Sequence, residues 1–215
     1  MFTVDWSDGA YTVYNLAKFR VEIVAKNVGD LVNFLNEKAS LKLGDVTMIG
    51  FSLGAHIAGV AARKFVKGQI RKIVGLDPAG PLYDIKNPND RLTSDSAKYT
   101  ECVHTGFMFL GFKEPICQID FYINSGERQP GCENLNGFLE SFCSHARVLY
   151  IFQEALKNQK AFFGYRCGSL EKAIRKDCHG KPGAYLNSKE NETKNLSGIY
   201  HVTTNAMKPY SRGTE

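Results

Sequence analysis

Short, predominantly apolar stretches of the chain alternate with longer stretches in which apolar residues recur every three or four positions. The short stretches at residues 1–6, 46–51 and 70–76 predict buried strands, because they are predominantly apolar and too short for helices. Residues 99–104 and 118–124 predict two more strands. These five strands are the predicted framework of the fold.

Helices are predicted between the first strands. Apolar residues recur at helical spacing from Val21 to Leu35, and a second helix, rich in alanine and glycine, follows Ser52 and ends near Val66. The order strand, helix, strand, helix, strand predicts parallel strands joined by crossover helices. We therefore expect an α/β fold, with a mostly parallel sheet flanked by helices, in a single domain of residues 1–215.

The second half of the chain is less regular. Residues 79–97 are rich in Pro, Asn, Asp, Ser and Gly and predict a loop, and residues 141–158 predict a helix. Beyond about residue 164 the pattern fades into loops and a short strand at 199–203. Residues 106–115 predict an apolar loop, which is either a buried connection or a surface that meets something other than water. Its large apolar residues are Phe107, Met108, Phe109, Leu110 and Phe112.

The strand at residues 46–51 leads into Gly50-Phe51-Ser52-Leu53-Gly54, a Gly-x-Ser-x-Gly pattern. In this pattern the serine sits on a strained turn between strand and helix that projects its hydroxyl out of the backbone. We expect Gly50 and Gly54 to be required because side chains there would collide as strand and helix close on each other. The helix N-terminus favours negative charge beside Ser52. The pattern predicts a nucleophile at Ser52; an ordinary strand-turn-helix is the alternative.

A serine nucleophile needs a base and a group that orients the base, in the chain order Ser, Asp, His. Asp77 directly follows the strand at residues 70–76, at the end where parallel sheets place their active-site groups. Asp84, Asp90 and Asp95 lie in the following loop without such an anchor. We predict that Asp77 is the orienting acid; a turn residue before a proline is the alternative.

Four histidines follow Asp77. His145 stands in Cys143-Ser144-His145, where a disulfide at the cysteine would hold the backbone immediately before an apolar helix, and it is the predicted base. His104 lies in a predicted strand and is expected to be a core histidine. His179 and His201 lie in the weakly patterned C-terminal part.

Two properties of the sequence bear on whether the protein binds nucleic acid or crosses a membrane: its net charge and the length of its apolar stretches. The formal net charge is +5, but lysine and arginine are scattered, which is typical of a solvated surface and gives no indication of nucleic-acid binding. No apolar stretch reaches the length of a transmembrane segment.

Cysteines and sequons indicate the secretory pathway. All six cysteines lie beyond residue 100, and Asn191 and Asn195 each begin an Asn-x-Ser/Thr glycosylation pattern. No signal peptide is recognisable at the N-terminus. We therefore expect a secreted protein whose signal peptide belongs to a missing N-terminal part.

Several motifs resemble one known family when they are read together and in order. They are Gly50-Phe51-Ser52-Leu53-Gly54-Ala55-His56-Ile57-Ala58-Gly59, Gly75-Leu76-Asp77-Pro78-Ala79, His104-Thr105, Asp120-Phe121-Tyr122-Ile123-Asn124, Gln129-Pro130-Gly131-Cys132 and Cys143-Ser144-His145. Over roughly residues 1–165 the chain is similar to the pancreatic-lipase family. The resemblance implies an α/β-hydrolase fold, secretion and hydrolysis of lipid carboxyl esters.

The resemblance also implies roles for individual residues. Ser52, Asp77 and His145 match the family's catalytic triad, and the backbone N–H of Leu53 matches one donor of its oxyanion hole. The second donor in the family comes from a His-Gly-aromatic loop upstream of Val4-Asp5-Trp6. Because no such loop precedes Val4, we expect the chain to be N-terminally truncated or its oxyanion hole to be half built.

The resemblance further implies a short lid. Cys132 and Cys143 match the disulfide that closes the family's lid, and they enclose only the ten residues 133–142. Triacylglycerol lipases of the family carry lids about twice as long, whereas phospholipase A1 members, including those of insect venoms, carry short ones. Acyl chains or a lipid surface would contact six residues in the lid and the apolar loop. They are Phe107, Phe109, Leu110, Leu135, Phe138 and Leu139.

The resemblance also bears on the four remaining cysteines and on metal binding. Cys167 and Cys178 match a further disulfide of the family; Cys102 and Cys117 either pair or stay as free buried thiols. Some family members bind calcium in the segment that matches residues 91–96. Asp95 would be its main charged ligand here, so we expect neither a metal nor a cofactor.

The leading interpretation is a secreted phospholipase A1 that releases the sn-1 fatty acid of phospholipids at a membrane or lipid surface. A triacylglycerol or galactolipid lipase is the alternative within the same class. A non-catalytic lipid-binding protein, similar to insect yolk proteins, is the alternative from another class. A third alternative is an inactive fragment.

Overall fold

The computed structural model describes residues 1–213. The strands are β1 (Thr47–Phe51), β2 (Lys72–Leu76), β3 (Tyr99–His104), β4 (Ile119–Ile123), β5 (Phe163–Cys167), β6 (Gly180–Tyr185) and β7 (Gly198–Val202). The helices are α1 (Ser7–Ala10), α2 (Tyr14–Lys38), α3 (Leu53–Val60), α4 (Phe138–Lys157), α5 (Leu170–Ile174) and α6 (Lys189–Thr193). None of these helices combines the length and the apolar character that a membrane span requires.

The seven strands form one sheet in the order β1-β2-β3-β4-β7-β5-β6. The first five in this order run parallel, and β5 is antiparallel to both of its neighbours, β7 and β6. The predicted α/β fold with a mostly parallel sheet is therefore confirmed. The four strands that the sequence predicts between residues 46 and 124 are present, each within two residues of its predicted ends.

Helices cover both faces of the sheet. Along β2, Ile73 packs into a cluster with the alanines of α3, whereas its neighbour Val74 packs into a cluster with Val148 and Ile151 of α4. Successive side chains of a strand point to opposite faces, so each face of β2 is buried against a different helix. The apolar residues that follow Lys72 in β2 reflect this burial on both sides.

Helix α2 lies on α3 through small residues. Ala17, Val21 and Ala25 are buried in a cluster with Ile57 and other residues of α3. Further along, Gly29 packs against the π-helical turn that follows α3, where an added Cβ would lie 2.4 Å from Cβ of Phe65. The predicted long amphipathic helix is confirmed. The alanine and glycine residues on its buried face allow α2 to lie close to α3 and to the turn that follows it.

The predicted strand at residues 1–6 is wrong. This segment has no strand structure, and Met1, Phe2 and Val4 are exposed. A strand needs a neighbouring strand for its backbone hydrogen bonds, and no strand among residues 1–213 pairs with it. A predominantly apolar composition therefore did not suffice to form a strand here.

The C-terminal part holds more regular structure than its sequence predicts. Strands β5 and β6 pair as an antiparallel ribbon, and α5 and α6 begin at serines whose hydroxyls accept backbone N–H groups. The first residues of β6, Gly180, Lys181 and Pro182, are exposed on a strand at the edge of the sheet. Such a strand lacks the apolar alternation that makes central strands recognisable.

The close approach of α2 to the π-helical turn gives a stability prediction. Replacing Gly29 by alanine should lower the free energy of unfolding by about 1–3 kcal/mol, because the added methyl collides with Phe65 although alanine favours helices. Urea unfolding followed by circular dichroism measures this change. Gly44→Ala is the matched control, since no atom lies within 4 Å of a Cβ there. Equal effects of the two substitutions would contradict the packing described.

Candidate active site

Ser52 forms the sharp turn between β1 and α3. Its φ is 55° and its ψ is −121°, a conformation that non-glycine residues rarely adopt. Its backbone N–H donates to the carbonyl oxygen of Leu76 (3.0 Å), and its own carbonyl accepts from Ala55 and Ala79. Three backbone hydrogen bonds therefore fix the strained turn.

Only one of the two glycines around Ser52 is required for packing. A Cβ on Gly50 would lie 2.2 Å from the carbonyl oxygen of Gly54, so no side chain fits between strand and helix. A Cβ on Gly54 would have no atom within 4 Å, because this position faces open space in the cleft beside Ser52. The expected collision at Gly54 is therefore wrong.

Asp77 follows β2 as Ser52 follows β1. Phe51 and Leu76 are partners in the parallel register, so the next residue of each strand emerges at the same edge of the sheet. Asp77 is fully buried with a φ of 40°. Its Oδ1 accepts the backbone N–H groups of Thr105 (2.6 Å) and Gly106 (3.2 Å), which directly follow β3. These two donors compensate for burial of the carboxylate.

His145 supplies the third hydrogen bond to Asp77. Its Nδ1 lies 2.5 Å from Oδ2 of Asp77, and its ring centroid lies 4.6 Å from that of Phe51, the residue before Ser52. Because Nδ1 donates to the carboxylate, Nε2 is the nitrogen that remains free to accept a proton. An imidazole that is hydrogen-bonded to a buried carboxylate and packed against Phe51, next to a strained serine turn, is the arrangement of a general base and its orienting acid.

The local structure around His145 differs from the expectation in one respect. Helix α4 begins at Phe138, three residues before the predicted start at residue 141, so the disulfide at Cys143 lies inside the helix and not immediately before it. Cys143 is bonded to Cys132, which fixes the first turns of α4 to the loop before it. The disulfide therefore anchors a helix rather than a loop end.

A cleft of about 370 Å³ opens at Ser52. Leu53 and Gly54 line it from α3, and Trp6 and Tyr14 line it from the N-terminal segment. The Tyr14 hydroxyl donates to the carbonyl oxygen of Pro81 (2.8 Å), and burial raises the pKa of Tyr14 to about 12. Tyr14 is therefore a neutral part of the cleft wall at physiological pH.

Leu53 is the first residue of α3. The N–H groups in the first turn of a helix have no partner within the helix and carry the positive end of its dipole. The Leu53 N–H is therefore free to stabilise an anion that forms at Ser52, which is the role predicted for it.

The predicted lipid-contact residues divide into two groups. Phe109, Leu135, Phe138 and Leu139 are exposed and Leu110 is half-buried, with Phe138 68% accessible. Phe107 is 8% accessible and packs edge-on against the ring of Tyr122, but it also lines a surface pocket together with Phe109, so its contact with lipid stays a prediction. Met108 of the same apolar loop and Phe142 at the end of the lid are also exposed, although they are not among the six predicted contacts.

All six cysteines are paired. The bonds are Cys102–Cys117, Cys132–Cys143 and Cys167–Cys178, and no free cysteine is present within residues 1–213. The alternative of free thiols at the first pair is therefore wrong.

The two predicted glycosylation sites differ in accessibility. Asn191 is 1% accessible, and its side-chain amide donates to the carbonyl oxygen of Tyr185 (2.7 Å). A glycan needs that amide nitrogen at the surface, so a glycan at Asn191 is incompatible with the fold. Asn195 is exposed and remains a predicted acceptor.

The segment matched to a calcium site is occupied by internal contacts. The Asp95 carboxylate accepts the hydroxyl of Thr93 and lies 3.8 Å from the Arg63 guanidinium. Elsewhere in the described residues, Cys102, Cys117 and Asp120 converge, but both sulfurs belong to a disulfide and are not available as ligands.

His104 and His56 are buried and fully bonded. His104 lies between the carbonyl oxygen of Phe112 and the carboxylate of Asp120, which agrees with a core histidine. His56 accepts the Leu92 N–H at Nδ1 (3.1 Å) and donates from Nε2 to the carbonyl oxygen of Ala79 (2.8 Å). These bonds select the neutral form of His56.

Comparison with known proteins places the chain in a family. A family model described as Lipase matches residues 1–210. The chain is 34% identical to hepatic triacylglycerol lipase of Mus musculus over 186 residues, which are 78% of this chain and 36% of the relative. It is 40% identical to lipase member H-A of Xenopus laevis over 173 residues, 79% of this chain and 37% of that relative.

A relative from a wasp matches almost the whole chain. The identity to probable phospholipase A1 magnifin of Vespa magnifica is 32% over 223 residues, which cover 98% of this chain and 64% of the relative. The chain belongs to the lipase family, as the motifs around Ser52, Asp77 and His145 predicted. It spans between about a third and two thirds of the length of these relatives.

The two backbone N–H groups that hold Asp77 are not predictable from the amino-acid sequence. Thr105 and Gly106 donate through the main chain, so their side chains carry no chemical signal. The one sequence feature that relates to this contact is a glycine at position 106, directly after a strand. The structure explains the glycine, since a Cβ there would lie 2.8 Å from the backbone nitrogen of His145.

The environment of His56 predicts an acid-sensitive fold. Burial lowers the pKa of His56 from 6.5 to about 4. Between these two pH values His56 is therefore mostly protonated in the unfolded chain and mostly neutral in the folded chain. The unfolding free energy should therefore fall as the pH drops from 7 towards 4, and His56 should contribute about 2 kcal/mol of the loss at pH 5. Denaturant titrations at pH 7 and 5 should show a smaller loss for His56→Asn than for wild type. Identical losses would refute this assignment.

Proposed function

We propose that the protein is a carboxylic ester hydrolase acting on lipids through Ser52, Asp77 and His145. The observation that carries the proposal is the buried 2.5 Å hydrogen bond between Asp77 and His145, which lies beside the strained Ser52 turn at one edge of the sheet. Membership of the lipase family supports the same reaction class. The catalytic unit is proposed to be one domain that includes residues 1–215.

The reaction follows from the groups at this edge. The Ser52 Oγ bonds to the ester carbonyl carbon while His145 Nε2 takes the hydroxyl proton, and Asp77 stabilises the resulting imidazolium. The Leu53 N–H stabilises the oxyanion. When the carbon–oxygen bond breaks, His145 returns the proton to the departing alcohol. Water then attacks the acyl-enzyme by the same route and releases the fatty acid.

The proposed substrate is a phospholipid at a membrane or lipid surface, cleaved at its sn-1 ester. The disulfide loop between Cys132 and Cys143 is short, so a bulky polar head group can reach the cleft without a large movement. Exposed apolar side chains such as Phe109, Phe138 and Leu139 provide contacts for acyl chains. The name of the wasp relative, probable phospholipase A1, points to the same substrate class.

A triacylglycerol substrate is the second candidate. The observation that favours it is the name of the mouse relative, hepatic triacylglycerol lipase, at 34% identity. The exposed apolar side chains near the lid serve a neutral lipid equally well.

Secretion is part of the proposal. Three disulfides are typical of proteins that fold in an oxidising compartment, and the exposed Asn195 stands in a sequence pattern for glycosylation.

Removal of the nucleophile tests the reaction class. Ser52→Ala should lower kcat/KM for a soluble short-chain ester by at least about 10⁴-fold, because no acyl-enzyme can form. Ser141→Ala is the matched control: its hydroxyl bonds to the carbonyl oxygen of Gly137 at the start of α4, and it should keep wild-type kinetics. A folded Ser52→Ala protein with the same kcat/KM as wild type would exclude Ser52 as the nucleophile.

A comparison of lipids tests the substrate class. Vesicles of phosphatidylcholine with different acyl chains at sn-1 and sn-2 should release the sn-1 chain, and trioleoylglycerol emulsions should be hydrolysed more slowly. Mass spectrometry of the released fatty acids measures both. Release from trioleoylglycerol alone would reject phospholipase A1 in favour of the second candidate.

A further inference from the structure

Gln129 lies just before the disulfide loop and is almost completely buried, with 1% of its surface accessible. Its side-chain nitrogen donates to two backbone carbonyls, those of Thr105 (3.0 Å) and Ile123 (2.8 Å). Its side-chain oxygen accepts from Nδ2 of Asn124 (2.9 Å). The amide therefore joins the ends of β3 and β4.

The first of these bonds leads directly to Asp77. The carbonyl of Thr105 accepts from Gln129, and the N–H of the same residue donates to the Asp77 carboxylate at 2.6 Å. A residue held at both its N–H and its carbonyl has little freedom to rotate. The Gln129 amide thus fixes the donor that holds the carboxylate.

A second connection leads to His145. The backbone N–H of Gln129 donates to the hydroxyl of Ser144 (3.0 Å), which is buried and directly precedes His145 in α4. The Thr105 hydroxyl, in turn, points to the carbonyl oxygen of His145 (3.4 Å). Gln129 is therefore bonded to both segments whose separation sets the Asp77–His145 hydrogen bond.

Only an amide satisfies the partners of Gln129. Both carbonyl oxygens must accept, so they require the two N–H groups of the NH₂, and Asn124 Nδ2 requires an acceptor. The orientation of Asn124 is fixed independently, because its Oδ1 accepts the Thr204 N–H (2.9 Å). A carboxylate at position 129 would face two carbonyl oxygens. An apolar side chain would remove the donor to the Thr105 carbonyl and one of the bonds of Ile123 and Asn124, which keep the Gly126 N–H and the Thr204 hydroxyl as partners.

We propose that Gln129 is a positioning residue for the Asp77–His145 pair, acting through Thr105 on the carboxylate and through Ser144 on the histidine helix. Its effect on turnover rests on the proposed function, whereas its effect on the geometry of the pair does not. A displacement of catalytic groups by about 1 Å is enough to lower turnover by about 100-fold.

The test compares Gln129→Met with wild type. We expect kcat for a soluble ester to fall by about 10- to 100-fold with KM changed less than about twofold, because the cleft itself is intact. We also expect the ¹H and ¹⁵N NMR shifts of the His145 Nδ1–H group to change. Gln118→Met is the matched control: this glutamine makes an exposed side-chain bond to Asn195 and precedes β4 at its opposite end, so both readouts should stay as in wild type.

Ser144→Ala is the second variant, for the case that Gln129→Met does not fold. It removes only the acceptor of the Gln129 N–H and should shift the same His145 resonances. Unchanged His145 shifts in a folded variant would overturn the positioning role, whatever the activity. If wild type hydrolyses no ester, the proposed function fails, and the NMR comparison still decides the role of Gln129.

Discussion

The hydrogen bond between Asp77 and His145 is the interaction on which the candidate site depends. A fully buried carboxylate is unfavourable unless donors surround it, and here the donors come from two distant parts of the chain. The segment after β3 supplies two N–H groups, and α4 supplies the imidazole. The end of β3 and helix α4 must therefore both be correctly placed for the carboxylate to receive its three hydrogen bonds.

The strained residues lie at this same edge of the sheet. Ser52 and Asp77 both have positive φ, and each is tied to the next strand, Ser52 to Leu76 and Asp77 to Val103. Strain of this kind costs roughly 1–3 kcal/mol per residue and persists only where neighbouring structure enforces it. Close packing at Gly50 enforces it on one side, and the hydrogen bonds of the next strand enforce it on the other.

Much of the fold followed from local sequence, since β1, β2 and β4 are short and predominantly apolar. The pairing of Asp77 with His145 was anticipated because each stands beside an element that the pattern predicted. The errors arise where tertiary context decides: residues 1–6 have no partner strand among the described residues, and Asn191 is buried. The main-chain donors after β3 and the amide of Gln129 were missed because a single sequence does not reveal which segments meet.

The central claim is that this arrangement makes Ser52 nucleophilic. The most direct measurement is reaction of the folded protein with a p-nitrophenyl alkylphosphonate, followed by mass-spectrometric peptide mapping. The account predicts one adduct per chain, on Ser52, and none when His145 is replaced by asparagine, because the hydroxyl then has no base. A folded protein that forms no adduct, or an adduct on another side chain, would contradict the account.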